Sequence, residues 1–139
     1  MDANDWFDLA ADRTIGEAEL VAGLAGLFHL AAERIAILPE DYTEVPGEPV
    51  LICHRYALAG DFVQGLAFFG PGVAAPDAAH FAKAFAAHFR CRLLIDDEDD
   101  ENPFAFRLVT AQGGVTRVYL DDRALAEQPE RYVIARVRE

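Results

Sequence analysis

Six consecutive acidic residues, Asp96, Asp97, Glu98, Asp99, Asp100 and Glu101, stand between two apolar segments that both read as strands. Like charges packed this closely repel, so the run has to face water, a cation or a basic partner. Leu93-Leu94-Ile95 precedes it and Pro103-Phe104 follows, so a folded core presents it as a loop and not as a frayed tail.

Around that loop the periodicity predicts an α+β domain. Thr14 and Glu17 match a capping box. Leu20, Val21, Leu24, Leu27 and Phe28 follow at helical spacing, which predicts a helix over 15–30. Gly16, Gly23 and Gly26 weaken it, and close approach to a sheet is the expected compensation. Strands are expected at 34–38, 50–56 and 62–69, the last two forming a hairpin about Ala59-Gly60-Asp61. Residues 39–49 hold three prolines and four acids and read as an exposed loop. A second helix starts at Pro76-Asp77, with Phe81, Phe85 and Phe89 on one face as a core stripe. Strands at 91–95, 104–110 and 115–120 come next, then one helical turn near 121–125 and a last strand at 132–137.

Helix plus three strands thus occurs twice, although the two halves share no residue-level identity. The expected architecture is a two-layer sandwich, a mostly antiparallel sheet with two helices on one face. The opposite face is left either polar or as a contact surface. Residues 1–139 read as one domain, with 1–13 an N-terminal arm packing on its edge through Trp6, Phe7 and Leu9.

Charge narrows the classes of function. The net charge of −12 is large for this length and disfavours nucleic acid and anionic membrane as partners. Residues 1–52 and 96–139 each carry eleven acids, whereas 53–95 carry two. The acidic surface is therefore expected from the flanks and the structural centre from the middle. There is no serine, which removes serine-nucleophile catalysis, and Lys83 is the only lysine. This preference for Ala, Arg, Asp and Gly is that of a GC-rich bacterial gene. Cys53 and Cys91 sit in apolar contexts and are expected as buried reduced thiols. With no apolar run long enough to span a bilayer and no secretory leader, the expected compartment is the cytoplasm.

No arrangement for catalysis or metal binding emerges. The acidic run lacks the spaced ligands, sixth-position glycine and twelfth-position glutamate of a calcium loop, since Glu101 stands where the glycine belongs. His54, His80 and His88 form no ligand pattern. Arg90 and Arg92 flank Cys91 and would favour a thiolate, but no base is identifiable beside it. No cofactor, metal or catalytic residue is therefore assigned.

What remains is recognition of a basic protein, since dense carboxylates steer such encounters. Asp96 to Glu101 form the expected binding element, helped by Glu40, Asp41, Tyr42 and Glu44, where an accessible tyrosine suits an interface. In size, acidity and α/β content the chain resembles the small acidic immunity proteins that neutralise bacterial toxins. That resemblance implies a non-enzymatic protein that occludes a basic toxin surface.

Two alternatives stand beside it. The element order and low pI are similar to those of type III secretion chaperones, which would imply a homodimer holding an unfolded effector segment. Such chaperones end on a further helix, whereas here Pro129 precedes a strand. The other is a small enzyme using carboxylate and histidine acid–base groups, which requires a hollow lined by His54, Cys91 or the acidic loop. Converting Asp96 to Glu101 into amides is expected to leave thermal stability nearly unchanged or to raise it through relieved repulsion, whereas collapse of the fold would make the loop a structural element and weaken the case for a basic partner.

Overall fold

The computed structural model describes residues 5–137. It is an α+β two-layer sandwich built on one eight-stranded sheet. The strands are β1 (Asp5–Ala11), β2 (Ile35–Leu38), β3 (Leu51–Ala57), β5 (Gln64–Phe69), β6 (Leu93–Asp96), β7 (Ala105–Val109), β8 (Val115–Leu120) and β10 (Ile134–Val137). Their order across the sheet is β10-β8-β7-β6-β1-β5-β3-β2. All neighbours are antiparallel except β2 and β3. Two short strands, β4 (Ala59–Gly60) and β9 (Arg131–Tyr132), pair with each other away from the main sheet. The helices are α1 (Glu17–Phe28), α2 (Ala78–Phe89) and the short α3 (Asp122–Glu127). Among the described residues no helix is long and apolar enough to cross a membrane.

The N-terminal segment does not lie at the edge of the domain, where the sequence suggested an arm. Asp5–Ala11 forms the strand between β5 and β6, in the middle of the sheet. Its alternation explains why. Leu9 and Ala11 are buried toward α1 and α2, while Asp8 and Ala10 point to the other face. A register shift between Asp5 and Asp8 lets both Trp6 and Phe7 join the helix-side aromatics. Trp6 lies 5.5 Å from Phe28 and Phe7 lies 5.6 Å from Phe81, centroid to centroid.

The helix-side core contains the expected phenylalanine stripe. Phe81, Phe85 and Phe89 are all buried, with Phe85 and Phe89 stacked at 4.4 Å. Asp77 caps α2 by accepting the His80 N–H at 2.9 Å. The start of α1 departs from the capping box. Gly16 is its N-cap, and no side chain caps it. The cause is Gln64, whose buried amide holds Ile15 by both its N–H (2.9 Å) and its carbonyl (3.1 Å). Ile15 is thereby kept outside the helix, and Thr14 is too far upstream to cap it. The glycines of α1 also act differently from the expectation. A Cβ on Gly23 would overlap the Phe89 ring at Cζ, so the close approach is to α2 and not to the sheet. A methyl group added at Gly16 or Gly26 would meet nothing within 4 Å.

The second sheet face is half covered. Phe62, Leu94, Val118 and Leu120 form a smaller buried cluster there, closed by Leu58, Leu125, Tyr132 and Ile134. The connection from β3 to β5 and the segment around α3 and β9 thus cover the β6–β7–β8–β10 half. The half spanning β1, β5 and β3 is left uncovered by helix.

The contrast between two α1 glycines gives a first test. Gly23→Ala forces the buried Phe89 ring to move and should cost about 1–3 kcal/mol. Gly26→Ala meets no neighbour and should gain up to about 1 kcal/mol. Urea midpoints of the two variants, moving in opposite directions, would establish the α1–α2 contact.

Candidate functional site

The acidic run divides in two at its first residue. Asp96 is the last residue of β6 and pairs with Phe106, so it faces the second sheet face. Asp97 turns the other way, onto the helix side of β7 and β8. There Arg107 and Arg117 are cross-strand partners. The Asp97 side chain has 0% exposure and accepts from the Arg117 Nε, with Arg107 Nε 3.5 Å from its other oxygen. Asp99 pairs with Arg107 at 2.5 Å. Asp100 lies 3.7 Å from Arg117 and accepts the Tyr119 O–H at 2.8 Å.

Side chain to backbone bonds complete the loop. Asp97 accepts the Asp99 N–H, Asp100 accepts the Asn102 N–H, and Asn102 accepts the Phe104 N–H. The Arg117 hydrogen bond, with help from the Asp99 N–H and the charge of Arg107, holds the Asp97 carboxyl below its ordinary value against the opposing effect of burial. Three of the six acids are therefore ion-paired within the chain, to two arginines, and form a structural cover over β7 and β8.

Glu98 and Glu101 are exposed and make no side-chain bond among the described residues. Glu40, Asp41, Tyr42 and Glu44 are exposed in the connection between β2 and β3. Parallel neighbours cannot be joined by a tight turn, which is why this connection is long. It returns along the second sheet face. Tyr42 stands edge-on to His54 at 4.9 Å, and His54 Nε2 is 3.3 Å from the Glu40 carbonyl.

The β1 register brings in a residue that sequence reading missed. Ala10 pairs with Leu94, which sets Asp8 beside Asp96 on neighbouring strands. Asp96 is paired with Phe106, and Asp8 with Ala67, which leads on to His54 and Leu38; continuing the Ala10–Leu94 register by two residues brings the two segments into one row. The adjacent row runs Leu108, Leu94, Ala10, Gly65 and Tyr56. A Cβ on Gly65 would overlap the Tyr56 ring, so that ring crosses the strand over the glycine. Its hydroxyl then donates to Asp8 Oδ2 at 3.0 Å.

Asp8, Asp96, Tyr56 and Tyr132 converge on a hollow of about 240 Å³. Asp8 and Asp96 also line an adjoining hollow of about 380 Å³ at the strand ends, together with Glu98, Asp99 and Asp77. No ion pair among the described residues involves Asp8, Asp96 or Glu98. Burial, Asp8 and Glu98 together raise the Asp96 carboxyl above its ordinary value. Burial, with Asp8 and Asp96, raises both tyrosine hydroxyls.

The hollow demanded by an enzyme reading therefore exists at Asp96, Glu98 and Asp99, but neither His54 nor Cys91 lines either cavity. Both cysteines are buried and free. Burial pushes the Cys91 thiol up to about 12, which removes it as a nucleophile at neutral pH. Among the described residues no three of His, Cys, Asp and Glu are grouped to hold a metal ion.

The division of the run predicts unequal effects of neutralisation. Asp97→Asn should cost about 1–3 kcal/mol by leaving two guanidinium groups without their buried acceptor. Glu98→Gln and Glu101→Gln should stay within about 0.5 kcal/mol of the parent. Because the folded Asp97 value lies below the unfolded one, its stabilisation is complete above about pH 4 and is lost as pH falls through the depressed value. The gap between parent and Asp97→Asn in thermal melts should accordingly stay constant from about pH 7 to about pH 5 and narrow as pH falls below about 4. Comparison with protein-family models, with curated proteins and with solved structures finds no match for this chain.

Proposed function

We propose that the chain is a non-enzymatic acidic protein-binding module that occludes a basic surface of a partner protein, the action of toxin-neutralising immunity proteins. The observation that carries this reading is the set of uncompensated carboxylates on and beside the half-open sheet face. Asp97, Asp99 and Asp100 are matched by arginines of their own chain, whereas Asp8, Asp96 and Glu98 are not. Adjacent strands hold two of these carboxylates side by side, a local concentration of negative charge that a cationic partner would relieve. Glu40, Asp41, Tyr42 and Glu44 extend the same acidic border past His54.

A second reading, a small acid–base enzyme, draws on one observation: the raised Asp96 carboxyl beside Asp8 in a hollow. The secretion-chaperone reading keeps the departure noted in sequence, because α3 is followed by the strands β9 and β10. A monomer by gel filtration would exclude that reading.

The binding reading is tested with a fluorescent nine-residue oligo-arginine and an oligo-glutamate of equal length. The parent should bind only the cationic peptide, with affinity falling as salt rises. Asp8→Asn/Asp96→Asn should weaken binding about tenfold, and the charge-matched Glu17→Gln/Glu33→Gln less than about twofold. Equal losses in the two variants would mean a diffuse field without a binding face and would count against the proposal.

A further inference from the structure

We infer that the uncovered half of the second sheet face docks an arginine-bearing segment of a partner protein, with one guanidinium seated on Asp8 and Asp96 in the hollow bordered by Tyr56 and Tyr132. This rests on the basic-partner reading above and names its surface and its side-chain chemistry. No helix covers the face from β1 to β3, small residues (Ala10, Gly65 and Ala67) form its floor, the β2–β3 connection reaches it at His54, and its two side-chain rows contain no arginine or lysine. From Asp96 to His54 the row crosses three strand spacings, about 14 Å, which is the length of about four extended residues. Aromatic rings border this stretch at both ends. Tyr42 and His54 stand on one side, and Tyr132 and Phe106, 6.1 Å apart, stand on the other.

The composition of the hollow selects guanidinium over ammonium. Asp8 Oδ2 is engaged by the Tyr56 hydroxyl, which orients that carboxylate. The other Asp8 oxygen and the Asp96 carboxylate keep their lone pairs for donors from outside. A planar guanidinium presents several N–H groups in a fixed fork and can bridge two neighbouring carboxylates. It also stacks on tyrosine rings and loses less hydration than an ammonium on entering an aromatic-walled site. The 240 Å³ hollow has room for the head group and part of its stem. Gly65 is part of the device, since any side chain there would lift Tyr56 off the strand and away from Asp8.

The test uses three capped peptides, Gly-Gly-Arg-Gly-Gly and its lysine and citrulline counterparts, titrated into the full chain while backbone amide NMR shifts are followed. The arginine peptide should give saturable shifts at Asp8, Gly65, Tyr56, Asp96 and Tyr132, bind at least about threefold tighter than the lysine peptide, and leave the citrulline peptide without saturation. Asp96→Asn should weaken the arginine peptide about tenfold, and Asp8→Asn serves as the second variant should that one lose its native spectrum. Tyr56→Phe, which keeps the ring but frees Asp8, should narrow the arginine-to-lysine preference. Equal binding of arginine and lysine peptides, or shifts confined to other surfaces, would overturn the guanidinium site while leaving the basic-partner reading standing. No saturable shift from either basic peptide up to about 10 mM, together with loss of oligo-arginine binding, would overturn both.

Discussion

The two-residue alternation of β1, set in the middle of the sheet, supports both the core and the candidate site. Its inward side chains, Leu9 and Ala11, lie under α1 and α2, and its outward Asp8 can then point only to the second face. Because Ala10 is opposite Leu94, the same register places Asp8 next to Asp96. A one-residue slip of β1 would turn Asp8 toward the phenylalanines of the helix side, at the desolvation cost of a buried carboxylate. The hydrophobic pattern that fixes the register therefore also fixes the juxtaposition of the two carboxylates.

Both layers of the sandwich are completed by different means on opposite sides. On the helix side, α1 and α2 cover the sheet toward β2, and the acidic loop covers β7 and β8 through Arg107 and Arg117. On the second side, Phe62 and the residues around α3 cover β6 to β10. The quarter left without such a cover is where Asp8, Asp96 and Tyr56 lie, bordered at His54 by the β2–β3 connection. Charge in the acidic run is thus split by position. Asp97, Asp99 and Asp100 are paired with arginines of the chain and hold a loop in place, and Asp96 and Glu98 add to an unmatched field around Asp8.

Much of the fold was legible because it depends on local pattern. The phenylalanine stripe of α2, the Asp77 cap and the acidic loop between β6 and β7 all rest on residues within a few positions of one another. The features that were not legible depend on long-range pairing. Thr14 satisfies a capping box, yet Gln64, far along the chain, holds Ile15 extended and moves the helix start. Trp6, Phe7 and Leu9 read as an edge arm because nothing local indicates that β5 and β6 would close on both sides of them. The candidate site was half legible for the same reason. Asp96 and Tyr42 belong to segments whose composition marks them, whereas Asp8 and Tyr56 become site residues only through pairing with β6 and crossing Gly65.

By itself the sequence determined the element types, the strong negative charge and the placing of two acidic segments in loops. These follow from periodicity, turn chemistry and the repulsion of like charges, all of which act over short stretches of chain. Tertiary structure alone decided which carboxylates would be neutralised and which would remain uncompensated. Register sets that outcome, since an aspartate opposite Arg107 and Arg117 becomes a buried structural tie, while its immediate neighbour, turned to the other face beside Asp8, becomes part of an open site.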